Sequence, residues 1–278
     1  MVSKGLEMAE TDTPSNPTGD NTQKAALPPP DWLKTWRRRF HGQRWGFVAF
    51  RTAYFSDDNG DERWNKFREE FERIVQLPFA RDIAHAQERG LLLPDDFEEA
   101  RAKFVVQWVD DRGIATGPIS ADSLRAKYAA MRPSLDAALS WEIFLCASPE
   151  AVKSFEEEAA NTDETSKFWR PRAPFMLAVV AHGDSGLEED HEEAAWFKPV
   201  FKVAAEVLVE SLVAVLDMGT SIPRITRLVR RATELDPGLK HGPLEETREL
   251  DEMWWSMHLS PTRMRNRMRI TRGIIVDE

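Results

Sequence analysis

"RWGFVAFRTAYF", residues 44–55, is the stretch on which the reading of the fold turns. It is crowded with aromatic and β-branched side chains, which fit a pleated, half-buried surface. Phe47, Ala49, Arg51 and Ala53 share one parity, so the stretch predicts a central strand with an arginine on a covered face. "SDDNGDE" follows it, a turn and helix-start signal.

Toward the N-terminus, Asp31 is expected to cap a short helix carrying Trp32, Leu33, Trp36 and Phe40 on one side. Before it, residues 1–29 are rich in Thr, Pro, Asn and Asp and hold no aromatic residue. They are expected to be disordered and to precede the domain, with the Pro28–Pro30 run as a stiff spacer. Toward the C-terminus, Trp64, Phe67, Phe71, Ile74 and Val75 recur at helical spacing. "LPDDFEEARAKFVVQWVDD", residues 93–111, reads as a second helix with a stripe of Phe97, Ala100, Phe104 and Trp108. Ser120 is expected to cap a third helix bearing Leu124, Tyr128 and Met131, which Pro133 stops.

The pattern then shortens. "WEIFLCAS" (141–148) and "RAPFMLAVVAHG" (172–183) read as strands on either side of a helix that has Pro149 in its first turn. "AWFKPVFKV" (195–203) reads as an edge strand, because Pro199 cannot donate to a ladder. "AAEVLVESLVAVLDMG" (204–219) reads as a covered helix ended by Gly219. Strands near 45–55, 141–147, 173–181 and 195–201 thus alternate with helices. The expected class is α+β: a mainly antiparallel sheet with helices packed on one face, an elaborated ferredoxin-like sandwich. The chain divides into the 1–29 segment and one domain over 30–278, with a helical C-terminal third from about 220.

Composition narrows the function classes. The 278 residues carry a formal net charge of −10 and a pI near 5.3. That disfavours nucleic acid or a membrane surface as the partner of the whole molecule. The one cysteine, Cys146, sits in an apolar run, so it allows no internal disulfide and reads as a packed, inert thiol. No apolar leader opens the chain, and Val203–Leu216 falls short of the roughly 20 residues of a membrane span. A cytoplasmic protein is the expectation.

No phosphate-binding loop, dinucleotide fingerprint or hydrolase elbow is present. "AHGDSGLEEDHEEAAW" (181–196) places His182, Asp184 and His191 among carboxylates just past a strand. Those residue types suit a divalent ion, but an acidic loop is more simply a solvated surface, so neither metal nor cofactor is assigned. Arg51 on a buried face demands a carboxylate or carbonyl partner: either a structural ion pair or an anion-binding arginine in a cleft. Tyr54 shares the strand three residues on, so it should point to the opposite face. Basic clusters at Arg37–Arg39, at Arg224, Arg227, Arg230 and Arg231, and at Arg263–Arg272 face acidic blocks of similar size, so internal pairing competes with any phosphate. The Arg263–Arg272 segment, interleaved with Met264, Met268 and Ile270, is expected to pack back onto the domain.

The Trp-Gly-Phe strand with its Arg and Tyr, the Trp64–Phe67 helix, "WVDDRG" at 108–113 and "EIFLCASPEAVKSF" at 142–155 together resemble a family of uncharacterised intracellular proteins of filamentous fungi. The resemblance spans about 31–216 in scattered motifs. It implies a fungal, cytosolic protein and brings no activity or catalytic residue with it. The leading expectation is a non-catalytic binding protein whose partner is another protein or a second copy. The main rival is a small-molecule enzyme with a Trp-lined cleft near Arg51 and the 182–196 loop, with Arg51, Tyr54, His182, Asp184 and His191 as the candidate ligand-binding residues. A single-stranded nucleic-acid module is the weaker rival.

Overall fold

A computed structural model describes residues 24–56, 59–112, 120–139, 141–157, 173–188, 190–227, 229 and 253–255. The protein is α+β, built on a six-stranded mixed sheet in the order β2-β1-β3-β4-β5-β6. The strands are β1 (Trp45–Arg51), β2 (Phe104–Val109), β3 (Ile143–Ala147), β4 (Phe175–Val180), β5 (Val200–Ala204) and β6 (Met253–Trp254). β1 is parallel to both β2 and β3, while β4 is antiparallel to β3 and β5, and β6 is parallel to β5. The expected antiparallel majority and ferredoxin-like connectivity are therefore not found: five of these six strands run the same way and β4 alone runs against them.

The difference traces to β2. Residues 93–111 form not one helix but α4 (Phe97–Ala102) followed at once by β2. Phe104 and Trp108 are four apart, an even interval that places them together on a strand as well as on a helix. The β-branched run of Val105, Val106 and Val109 favours the strand, and β1 supplies the partner. Gly46 allows the pairing. Its φ is +137°, and a Cβ there would lie 1.8 Å from the Val105 carbonyl oxygen, so only glycine lets the two backbones meet.

Helices cover both faces of the sheet, not one. Phe47, Ala49, Ile143, Leu145, Met176 and Ala178 face the larger core, with α1 (Asp31–Thr35), α2 (Gly60–Val75), α6 (Pro149–Glu157) and the segment from Ala205 through α7 (Val213–Asp217). Val48, Phe50, Phe144, Cys146 and Val179 have the other parity and face α5 (Ala121–Met131) through Leu124 and Tyr128. This is the strand period of two serving two layers. Trp32, Trp45, Phe79, Phe97 and Phe104 stack edge to face in the larger core, at centroid separations of 4.7 to 6.2 Å where they touch. Phe79 belongs to a further helix, α3 (Leu77–Glu88).

Ser120 caps α5 by accepting from the Ser123 N–H, as its position predicts. Gly219, with φ +68°, follows α7. Pro199 does not make β5 an edge. It lies just before the strand, where its carbonyl accepts the Val180 N–H, and β6 pairs on β5's other side. Trp254, expected on a helix, is in β6. Of the expected helical third, the described residues thus show one helix, α8 (Ile222–Thr226), and the strand β6. The 1–29 segment touches the domain at its end: Leu27 is buried, and Ala25–Leu27 exchange backbone hydrogen bonds with Leu92. The Arg263–Arg272 segment lies outside the described residues. No described helix is long and apolar enough to cross a membrane.

Candidate functional site

The parallel strands bring chemistry to both of their ends, and the expected site residues divide between them. At the C-terminal end of β1, Arg51 is 5% exposed. Its Nη1 donates to Asp110 Oδ2 at 3.0 Å, its Nη2 to Asp61 Oδ1 at 3.2 Å, and its Nε to the Ala53 carbonyl at 3.3 Å. The guanidinium also lies 4.6 Å from the Trp64 ring centre and 4.8 Å from that of Tyr54. Two carboxylates and a carbonyl thus engage all three nitrogens of a buried guanidinium, the kind of partnering such a group needs.

Tyr54 is not on the opposite face from Arg51. β1 ends at Arg51, and the Thr52 and Ala53 N–H groups both donate to the Ala147 carbonyl at 3.1 Å, which turns the chain. Tyr54 thereby comes beside Arg51 and donates its hydroxyl to Asp110 Oδ1 at 2.8 Å. Burial and the hydrogen bond to Asp110 push its pKa up to about 12. Beneath the turn, Thr52 Oγ1 and Cys146 Sγ are 3.2 Å apart. Burial raises the thiol to about 11, so it is protonated at neutral pH and poorly nucleophilic.

At the other end, where β1 and β3 begin and β4 finishes, an open cleft of about 490 Å³ is lined by Arg39, Arg132, Trp141, Glu142, His182, Asp184, Ser185 and Ser221, among others. Its floor is well determined. Trp141 is 3% exposed, donates its indole N–H to the Gly46 carbonyl at 2.8 Å, and has its own carbonyl bonded by Tyr128 at 2.9 Å. Arg39 lies with its guanidinium 4.3 Å over the Trp141 ring. Arg125 ties down the wall: its Nε donates to the Val180 carbonyl at 2.9 Å and its Nη2 to that of Pro199 at 3.2 Å.

The arginine run that precedes β1 is split three ways. Arg37 grips Asp96, with Nε–Oδ2 at 2.7 Å. Arg38 pairs with Asp217, which also accepts from Thr35. Arg39 approaches Asp217 only to 3.8 Å and faces the cleft instead. The run was visible as a basic cluster in the sequence. Which of its members meets the cleft depends on the turn of π-helix over Trp36–Phe40, and nothing in the composition signals it.

His182 and Asp184 line this cleft, and Asp184 also accepts the Gly186 N–H at 3.1 Å. His191 does not join them. Its Nδ1 accepts the Glu193 N–H at 3.1 Å and caps the short turn Glu192–Trp196. Among the described residues no group of three or more His, Cys, Asp or Glu side chains is placed to hold a metal ion. Arg224 and Arg227 are engaged with the same turn, Arg224 with Glu193 at 2.7 Å and Arg227 over the Trp196 ring at 3.9 Å. The register of β1 with β3, and of β3 with β4, sets Arg51 beside Ala147 and Val180 beside Ile143. Arg51 and Tyr54 therefore stand at one end of the strands and His182 and Asp184 at the other, roughly 20 Å apart at about 3.3 Å per residue.

Fold and cleft define a class: a mixed-sheet α+β protein with a buried arginine held by two carboxylates at one end of its parallel strands and an open polar cleft at the other. Comparison of the chain with protein-family models, with curated proteins and with solved structures finds no match in any of the three.

Proposed function

We propose that the protein is a non-catalytic binding protein, and that the cleft between Arg39 and His182 receives a ligand bearing a carboxylate or phosphate. The observation that carries this reading is the placing of Arg39: exposed, stacked on a buried indole, and held only loosely by a carboxylate that Arg38 already engages. A guanidinium pre-oriented on an aromatic floor is suited to bidentate recognition of a planar or tetrahedral anion. His182, Ser185 and Ser221 add donors around it, while Glu142 and Asp184 favour a ligand that also carries hydrogen-bond donors.

The rival, an enzyme joining Arg51 and the 182–196 loop in one site, requires groups that the strands hold apart. The test is thermal unfolding of the full chain against a panel of small dicarboxylates, amino acids and phosphate monoesters. At a hundred times its Kd, a bound ligand adds about 2.7 kcal/mol to stability and raises the midpoint accordingly. The expected result is a shift with at least one anionic probe that disappears in Arg39→Gln and persists in Arg51→Lys. If no probe shifts the wild type, or if the shift survives Arg39→Gln, the cleft is not the recognition site.

A further inference from the structure

The residues lining the cleft include two arginines, Arg39 and Arg132, and two carboxylates, Glu142 and Asp184, so its formal charge is balanced. Other carboxylates beside an arginine in this fold are paired: Asp96, Asp217 and Glu193 each take one. Among the described residues no ion pair holds Glu142 or Asp184, and Asp184 meets only the Gly186 N–H, at 3.1 Å. A simple anion coming to Arg39 would therefore meet two uncompensated negative charges in the same cleft, on a chain of net charge −10.

The strands set where these charges stand. The Ala181 N–H donates to the Glu142 carbonyl at 2.7 Å, one step past the Ile143–Val180 pair, so Trp141 and His182 come next in register. Alternation puts Trp141 on the side of Ile143 and the larger core, and Glu142 on the side of Phe144. Arg39, stacked on Trp141, thus stands on one side of the strand ends and Glu142 on the other. Asp184 follows His182 by two residues, in the turn that its bond to Gly186 closes. The lining also has an apolar part: Val180, Leu216 and Ile222 border the cleft while only 2%, 8% and 7% exposed.

We infer, taking Arg39 as the anion-binding group proposed above, that the ligand is an amino-acid zwitterion with an apolar side chain. Arg39 takes its carboxylate, Glu142 and Asp184 take its ammonium group, and Val180, Leu216 and Ile222 receive its side chain. Unpaired charges of opposite sign, held apart in one cleft, are what a zwitterion neutralises. A simple anion leaves the two carboxylates uncompensated, and a simple amine leaves the guanidinium so. The cleft volume of about 490 Å³ falls within the roughly 300–1,000 Å³ of small-molecule sites.

The experiment is isothermal titration calorimetry of the full chain at low salt. The probes are leucine, methionine, phenylalanine and glycine, with the 2-hydroxy acid and the amide of each of the first three. At least one of those three amino acids is expected to bind. Its hydroxy acid, which lacks the ammonium group, its amide, which lacks the carboxylate, and glycine should each bind more weakly by about tenfold or more. Glu142 and Asp184 are exposed, so the double variant Glu142→Gln, Asp184→Asn should keep the wild-type circular dichroism. In it the amino acid and its hydroxy acid should bind equally. Should that variant fail to fold, the comparison of ligands on the wild type decides. A hydroxy acid that binds the wild type as tightly as its amino acid overturns the inference while leaving Arg39 as an anion site. An amide that binds as tightly overturns both. Glycine binding as tightly as the larger amino acids, or a folded double variant that still prefers the amino acid, overturns the inference. So does the absence of binding by all three apolar amino acids, and Arg39 as an anion site is then decided by the dicarboxylates and phosphate monoesters.

Discussion

Two arginines in this molecule stack on buried tryptophans, at opposite ends of the same parallel strands, and they do different things. Arg51 lies 4.6 Å from the Trp64 ring centre and Arg39 lies 4.3 Å from that of Trp141, so ring contact does not distinguish them. What does is the hydrogen-bonding edge of the guanidinium. That of Arg51 is occupied by two carboxylates and a carbonyl, and the residue is buried. Arg39 is exposed, and among the described residues its nearest carboxylate, Asp217, is at 3.8 Å. A cation–π contact orients a guanidinium; the partners left for its N–H groups decide whether it serves the fold or a ligand.

The largest expected break in this comparison is Arg51→Met. It leaves Asp61 and Asp110 without their shared cation and opens the turn after β1. Because both carboxylates keep contact with water, the cost should fall near the lower end for a broken buried pair, about 3 kcal/mol, read by urea denaturation. Arg39→Met should cost less than about 1 kcal/mol in the same measurement, as befits an exposed residue with a stacked ring and one long ionic contact. Equal losses at the two positions would erase the distinction.

Tyr54→Phe sharpens the picture at the Arg51 end. It deletes one hydrogen bond to Asp110 and should cost about 1 kcal/mol. The wild-type hydroxyl should ionise near pH 12 by absorbance at 295 nm. Its pKa is raised on folding, so its contribution is fully present below the ordinary tyrosine pKa of about 10 and is lost as pH rises toward 12. Arg51→Met should move that titration further up, since the guanidinium is the one neighbour favouring the phenolate. The smallest effect concerns the thiol beneath the same turn. Cys146 should resist alkylation at pH 8 in the folded protein and react once urea unfolds it, because burial holds it protonated to about pH 11. Ready labelling of the native protein would mean that this end opens.

Much of the sheet could be read in advance. The β1, β3 and β4 strands were legible because their apolar runs are short and bounded by Pro, Gly or charge, as at "SDDNG", Pro149 and "HGD". The α5 cap was legible because Ser120 serves its N-terminus by purely local geometry. β2 was not, because Phe104 and Trp108 satisfy a helical and an extended repeat alike, and only the strand beside them breaks the tie. Trp254 likewise takes its conformation from β5. For the site, sequence reasoning marked Arg51 as a residue that must find a carboxylate, but the identity of Asp61 and Asp110 required the fold.

The sequence by itself determined what local forces decide: an α+β chain, an acidic one, with an inert cysteine and, at α5, a helix begun by its own cap. Tertiary structure alone decided the common direction of five of the six described strands, the helices on both faces of the sheet, and the separation of Arg51 and Tyr54 from His182 and Asp184. It also decided that Arg39, third in a run of three, faces the cleft. The physical reason is common to all of these. A strand's partner, and the residues it carries to either end, are set by pairing between segments far apart in the chain, where a one-residue change of register turns every side chain to the other face.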